Sequence, residues 1–172
     1  ISVENDPMAR ACCACLVKGE GRETVLLTGH YDTVTIKDYG DLAGVATQPE
    51  QLLVALKARL ALPVTPAEIR ASVDFASGDF LPGRGLLDMK AGLGAGLAAL
   101  EAFAAEPGRR GNLLFVGVPD EEVNSVGARA LAHAMPELQR RFGLDIVAAI
   151  NLDCIGDDGD GSVGRAVALG SV

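Results

Sequence analysis

Apolar positions along this chain fall into short continuous runs, separated by stretches in which they recur at helical spacing. The run Thr-Val-Leu-Leu-Thr at 24–28 is apolar over too few residues for a helix, which suits a strand covered on both faces. Asn112 to Val118 repeats the pattern and is stopped by Pro119. Asp145 to Leu152 is a further apolar strand, and Ala166 to Leu169 a shorter one. The cysteine-bearing stretch Ala11 to Val17 also reads as a buried strand.

Between these runs the period changes. Leu52, Leu53, Leu56 and Leu60 recur on one helical face and predict an amphipathic helix from Pro49 to about Leu60. Pro63, Pro66, Pro82 and several glycines divide the surrounding polar stretch into loops, so 36–80 reads as an insertion loop carrying that one helix. Asp88 opens a strong helix, Met89 to about Ala105, closed by Pro107-Gly108. Gly92, Gly94 and Gly96 each lower its propensity by roughly 1 kcal/mol relative to Ala, which predicts that they pack closely against a sheet. A last helix is expected from Ser125, a suitable N-cap, to about Phe142. The order strand, helix, strand, helix, strand predicts right-handed crossovers and an α/β fold, a three-layer sandwich with a mainly parallel mixed sheet flanked by helices.

Composition narrows the function. The chain has 172 residues, enough for one α/β domain. With 49% hydrophobic residues, 4% aromatics and no Trp, its core is built from Ala, Leu, Val and Ile. A formal net charge of −8 argues against a nucleic-acid partner, which would need a basic patch. No apolar run approaches the roughly 18 residues of a membrane span, and no signal segment opens the chain. Of the four cysteines, Cys12, Cys13 and Cys15 crowd one stretch, and Cys154 stands alone. Free thiols packed in a strand, in a reducing compartment, fit this better than disulfides or a metal site, so the cytoplasm is the expected location. Because the chain starts at Ile1 and ends in an apolar run at Val172, it reads as a piece of a longer protein.

In an open α/β sheet, ligands bind beyond the carboxyl ends of the strands. Those ends deliver His30 and Asp32, then Asp120, Glu121 and Glu122, then Asp153, while the loop before the long helix delivers Asp88. A carboxylate-and-histidine set of this kind suits Zn²⁺ or Mn²⁺. His30 and Asp32, two apart in extended chain, share a side, so the carboxylate can accept the second imidazole N–H. Adjacent Glu121 and Glu122 point apart, which suits one as a ligand and the other as a free base near bound water. Asp88 at a helix start is held as an anion by the helix dipole.

The segments Gly-His-Tyr-Asp-Thr-Val at 29–34, Gly-Arg-Gly-Leu-Leu-Asp-Met-Lys-Ala-Gly at 83–92 and Pro-Asp-Glu-Glu-Val-Asn-Ser at 119–125 resemble the zinc exopeptidases. These are the family of aminoacylase, carboxypeptidase G, acetylornithine deacetylase and succinyl-diaminopimelate desuccinylase. The match spans about 24–153. The long 36–80 loop, with Lys37-Asp38-Tyr39-Gly40 near its start, is similar to the arginine-utilisation (RocB-like) branch.

The resemblance implies a two-zinc hydrolase acting on an amide or peptide bond of a small peptide or N-acyl amino acid. His30 and Asp153 would be ligands of one zinc, Asp88 the bridging ligand and Glu122 a ligand of the other. Asp32 would be a residue orienting His30, and Glu121 the general base. Manganese or cobalt would serve in place of zinc. The resemblance also implies a cis peptide at Asp88–Met89, a final His ligand beyond Val172, and a lid domain, absent here, through which homodimers form. No substrate-binding residue is assigned.

Other features carry less. His133 lies mid-helix and reads as a packed or solvated residue rather than the missing ligand. Asp157-Asp158-Gly159-Asp160-Gly161 fits no EF-hand register and reads as a solvated turn. Arg84 and Lys90 flank Asp88, where they would either meet a substrate carboxylate or support the backbone. Arg140-Arg141 complements a helix dipole. Two alternatives to the hydrolase stand: a non-catalytic relative serving as a binding or regulatory module, and a single-metal site of another class such as a phosphatase.

Overall fold

The computed structural model describes residues 1–154. The strand expected at 166–169 and the acidic turn at 157–161 lie outside them. Strand β1 (Cys13–Lys18) and β2 (Glu20–His30) are followed by a 3-10 segment (Lys37–Val45) and helices α1 (Pro49–Arg59) and α2 (Pro66–Ser77). A wide, kinked turn (Leu86–Ala91) leads into α3 (Gly92–Ala105), then β3 (Arg110–Val118), α4 (Val126–Phe142) and β4 (Asp145–Asn151).

The sheet order is β1-β3-β2-β4. β2 runs parallel to both β3 and β4, and β1 lies antiparallel along β3. Alternation along the strands sends side chains to two faces. On one, Leu26, Leu114, Val116 and Val118 pack with Leu131 and Leu144. On the other, Leu27 and Phe115 pack with Leu100 of α3. Helices therefore cover both faces, and the α/β layering follows from the apolar runs of β2 and β3. Parallel pairing places the carboxyl ends of β2, β3 and β4 at one edge, which becomes the floor of the site.

Several expectations change. The cysteine stretch is an edge strand rather than a buried one: Cys12 is buried, but Cys13 and Cys15 are exposed. All four cysteines are free thiols. The 36–80 region holds two helices, not one. Pro66 begins α2 instead of breaking it, because Thr65 and Glu68 form a reciprocal capping box and proline is tolerated in the first turn. Ser125 does not cap α4 with its side chain; it adopts a left-handed conformation and donates its hydroxyl to the Glu121 carbonyl at 3.3 Å. Asp88 does not directly open a helix either. Asp88 and Met89 are both non-helical and joined by a cis peptide, and α3 begins at Gly92. Among the helix glycines, Gly92 and Gly96 are close-packed against Leu152 and Phe115, but Gly94 faces open space. Arg140 and Arg141 do occupy the last turn of α4, where Arg140 pairs with Glu137.

Candidate metal centre

Three segments meet at the carboxyl edge of the sheet. His30 ends β2 and is 2% exposed, its ring sunk between the strand ends. Asp88 enters from the turn before α3, and Asp153 follows β4. One ligand atom from each of His30, Asp88 and Asp153 lies within 4.8 Å of the others. His30 Nε2 is 2.9 Å from Asp88 Oδ1, 3.7 Å from Asp153 Oδ2 and 4.0 Å from Glu121 Oε2.

The ring's other nitrogen fixes the tautomer. His30 Nδ1 is 3.0 Å from the backbone carbonyl of Asp32. A carbonyl only accepts, so Nδ1 carries a proton, and in the neutral ring the Nε2 lone pair faces the carboxylates, as metal ligation requires. The Asp32 carboxylate is farther off, 3.8 Å from Nδ1. It accepts the backbone amides of Glu121 and Glu122 instead, at 3.1 and 3.3 Å. Asp32 thus orients His30 through its main chain and the Glu121–Glu122 turn through its side chain.

This donor set fits a divalent cation. Asp88 Oδ1 is buried and has no hydrogen-bond donor, although His30 Nε2 is close by. With the ring neutral, Nε2 and Oδ1 face each other as two Lewis-basic atoms, a geometry that a divalent cation between them resolves. The acidic surroundings also govern titration. Burial alone would lower His30, but the Asp32 carbonyl and the Asp153, Asp88 and Glu121 carboxylates reverse this, and the net shift is upward. Glu121 is raised, first by burial and then by repulsion from Asp153, Glu122 and Asp32, against the opposing pull of His30. An upward shift is the direction that suits a carboxylate to accepting a proton from water.

Glu122 is not brought into the three-residue cluster. Its Oε1 accepts the amide of Val34 at 3.3 Å, on the loop that leads into the insertion. His133 is exposed on α4 and lines a surface cavity with Glu4 and Arg129, away from the cluster. Arg84 is tied down: it pairs with Asp38, lies over the Tyr39 ring at 5.2 Å, and donates its amide to Ala46 at 2.8 Å. It therefore braces the start of the insertion. Lys90 is exposed.

Two structural supports carry no signal in the sequence. Arg10 bridges Asp6 and Asp120, with 2.7 Å contacts to each. Asp120, 5% exposed and with a positive φ of 65°, begins the turn that carries Glu121. Pairing with Arg10 holds Asp6 down to about 2. Nothing near Arg10 in the chain marks it, since its partner lies 110 residues away. The second support is Met89, 1% exposed beneath the cluster.

A parallel-sheet edge with a histidine, two convergent carboxylates and a nearby glutamate is a donor set suited to a divalent cation. The chain belongs to peptidase family M20/M25/M40, whose family model matches residues 61–168. Over 145 residues it is 39% identical to the uncharacterized protein YqjN of Bacillus subtilis (strain 168), covering 84% of this chain and 26% of that protein. Over 175 residues it is 34% identical to Protein RocB of the same organism, covering 99% of this chain and 30% of that protein. The chain thus spans less than a third of the length of these relatives and stands with the RocB-like branch. No solved structure matches it. Among the described residues, no helix is long and apolar enough to cross a membrane.

Proposed function

We propose that this chain is the metal-holding part of a two-zinc hydrolase that cleaves the amide bond of a small peptide or an N-acyl amino acid. The observation that carries the reading is the convergence of His30, Asp88 and Asp153, with the buried Asp88 Oδ1 left without a donor. His30 and Asp153 would hold one ion, Asp88 would reach both ions, and Glu122 would hold the second with a histidine from elsewhere in the longer protein. Manganese or cobalt would suit the same oxygen-rich set. When bound, such ions supply positive charge that polarises an amide carbonyl and acidifies water.

The chain's own residues do the rest. Glu121, set 4.0 Å from His30 Nε2, accepts the proton of the attacking water on its carboxylate and returns it to the leaving nitrogen. Asp32 keeps Glu121 and Glu122 at the site by accepting their amides. Membership of the RocB-like branch supports a place in arginine utilisation, and the free thiols support a cytoplasmic setting. Dimerisation through a lid domain of the longer protein completes the reading; neither nucleic acid nor membrane is a partner.

Glu121→Gln in the full-length protein tests the assignment. Turnover of an amide substrate is expected to vanish while metal content stays at the parent level. Surviving turnover would refute the role of Glu121. Calorimetric zinc titration of this chain beside Asp88→Ala tests the site: the parent binds, and the variant loses the ion.

A further inference from the structure

The β2–β4 ladder ends at Thr28 and Asn151, and its last rung is the Leu152 amide on the Thr28 carbonyl at 2.9 Å. Beyond it the strands part, which lets His30 and Asp153 approach one point from two sides. Parting leaves the His30 amide, which faces the β4 side of β2, without a strand partner. A buried amide in that position must find another acceptor. It finds the thioether of Met89, with His30 N to Met89 Sδ at 3.0 Å.

The Met89 side chain fits a seat that only glycines leave open. A methyl group at Gly29 would overlap Met89 Cε and come within 2.9 Å of Sδ. One at Gly92 would stand 3.1 Å from Cε and collide with the Leu152 carbonyl. Gly29 precedes His30, Gly92 lies four residues past Asp88, and Leu152 precedes Asp153. One side chain thus fills the junction among all three ligand-bearing segments.

We propose that Met89 is the positioning residue of the metal centre: it satisfies the His30 amide and holds the backbones of His30, Asp88 and Asp153 at their mutual separation. The inference rests on the metal-site reading above. Leucine matches methionine in volume and is the swap that cores tolerate best, but it has no acceptor for the amide. Met89→Leu therefore separates positioning from packing.

The test is zinc calorimetry on the full chain, with thermal melting of each metal-free variant and amide exchange at His30. Met89→Leu is expected to melt close to the parent, to exchange the His30 amide faster, and to bind zinc roughly tenfold more weakly, the scale on which ligand-orienting groups act. Gly29→Ala approaches the same seat from β2 and is expected to weaken zinc similarly. Parent affinity in both Met89→Leu and Gly29→Ala would overturn the positioning role while leaving the metal reading intact. A parent chain that binds no zinc would overturn both.

Discussion

Alanine at Gly92 and at Gly94 should move the protein in opposite directions, although the two positions share the first turn of α3. At Gly94 an added Cβ meets nothing within 4 Å. The substitution then only restricts the unfolded chain and improves helix propensity, a gain of about 0.4–1 kcal/mol. For a chain of this length that raises the melting temperature by about 1–4 °C. At Gly92 the same gain applies, but the Cβ would come within 3.0 Å of the Leu152 carbonyl carbon and closer still to its oxygen. Backbone of a neighbouring segment cannot rotate aside, so the overpacking cost of about 1–3 kcal/mol falls in the upper part of its range. The clash wins, leaving Gly92→Ala less stable by about 1–2 kcal/mol. Differential scanning calorimetry of the metal-free variants reads both signs. Because Leu152 carries Asp153, Gly92→Ala should also bind zinc more weakly, whereas Gly94→Ala should match the parent. A rise in melting temperature at Gly92 equal to that at Gly94 would refute the close approach of α3 to the β4 end.

Asp32→Asn separates main-chain from side-chain orientation of His30. The Asp32 carbonyl that receives Nδ1 survives the change, so zinc affinity should fall by less than about threefold; a loss of 10–100-fold would mean that the carboxylate holds the ring. Stability should depend on Asp6 in acid. Its carboxyl is depressed from 3.8 to about 2, so its contribution is present above 3.8 and is lost as pH falls through about 2. Asp6→Asn should flatten the melting-temperature profile over that window, and an unchanged slope would count against the Arg10 pairing. Thr65→Ala removes one half of a capping box and should cost about 1 kcal/mol locally. Hydrogen exchange in α2 is the readout, and unchanged protection there would show that the cap contributes nothing.

The sequence by itself determined the α/β layering and the edge at which the chemistry collects. Continuous apolar runs require burial on both faces, parallel strands bring their carboxyl ends together, and His30, Asp88, Glu121 and Asp153 follow those ends or the adjoining turn. The capping signal Thr65-Pro66-Ala67-Glu68 also lies in the sequence and marks α2, but reading Pro66 as a break hid it. What only the tertiary structure decided depends on contacts distant in sequence. The Cys13–Lys18 run lies at the sheet edge because β1 pairs on one side only, which no local pattern reveals. Gly92 and Gly94 both sit between Ala and Leu in one helical turn, yet only Gly92 faces the Leu152 carbonyl. Spacing placed the Asp32 side chain beside His30, but the fold gives that role to its carbonyl and lends the carboxylate to the amides of Glu121 and Glu122. Arg10 reaches Asp120 across the fold, and Met89 meets His30 from a separate turn. Periodicity reports which residues must be buried; the partner each polar group finds depends on where the packed elements leave an unpaired donor or acceptor.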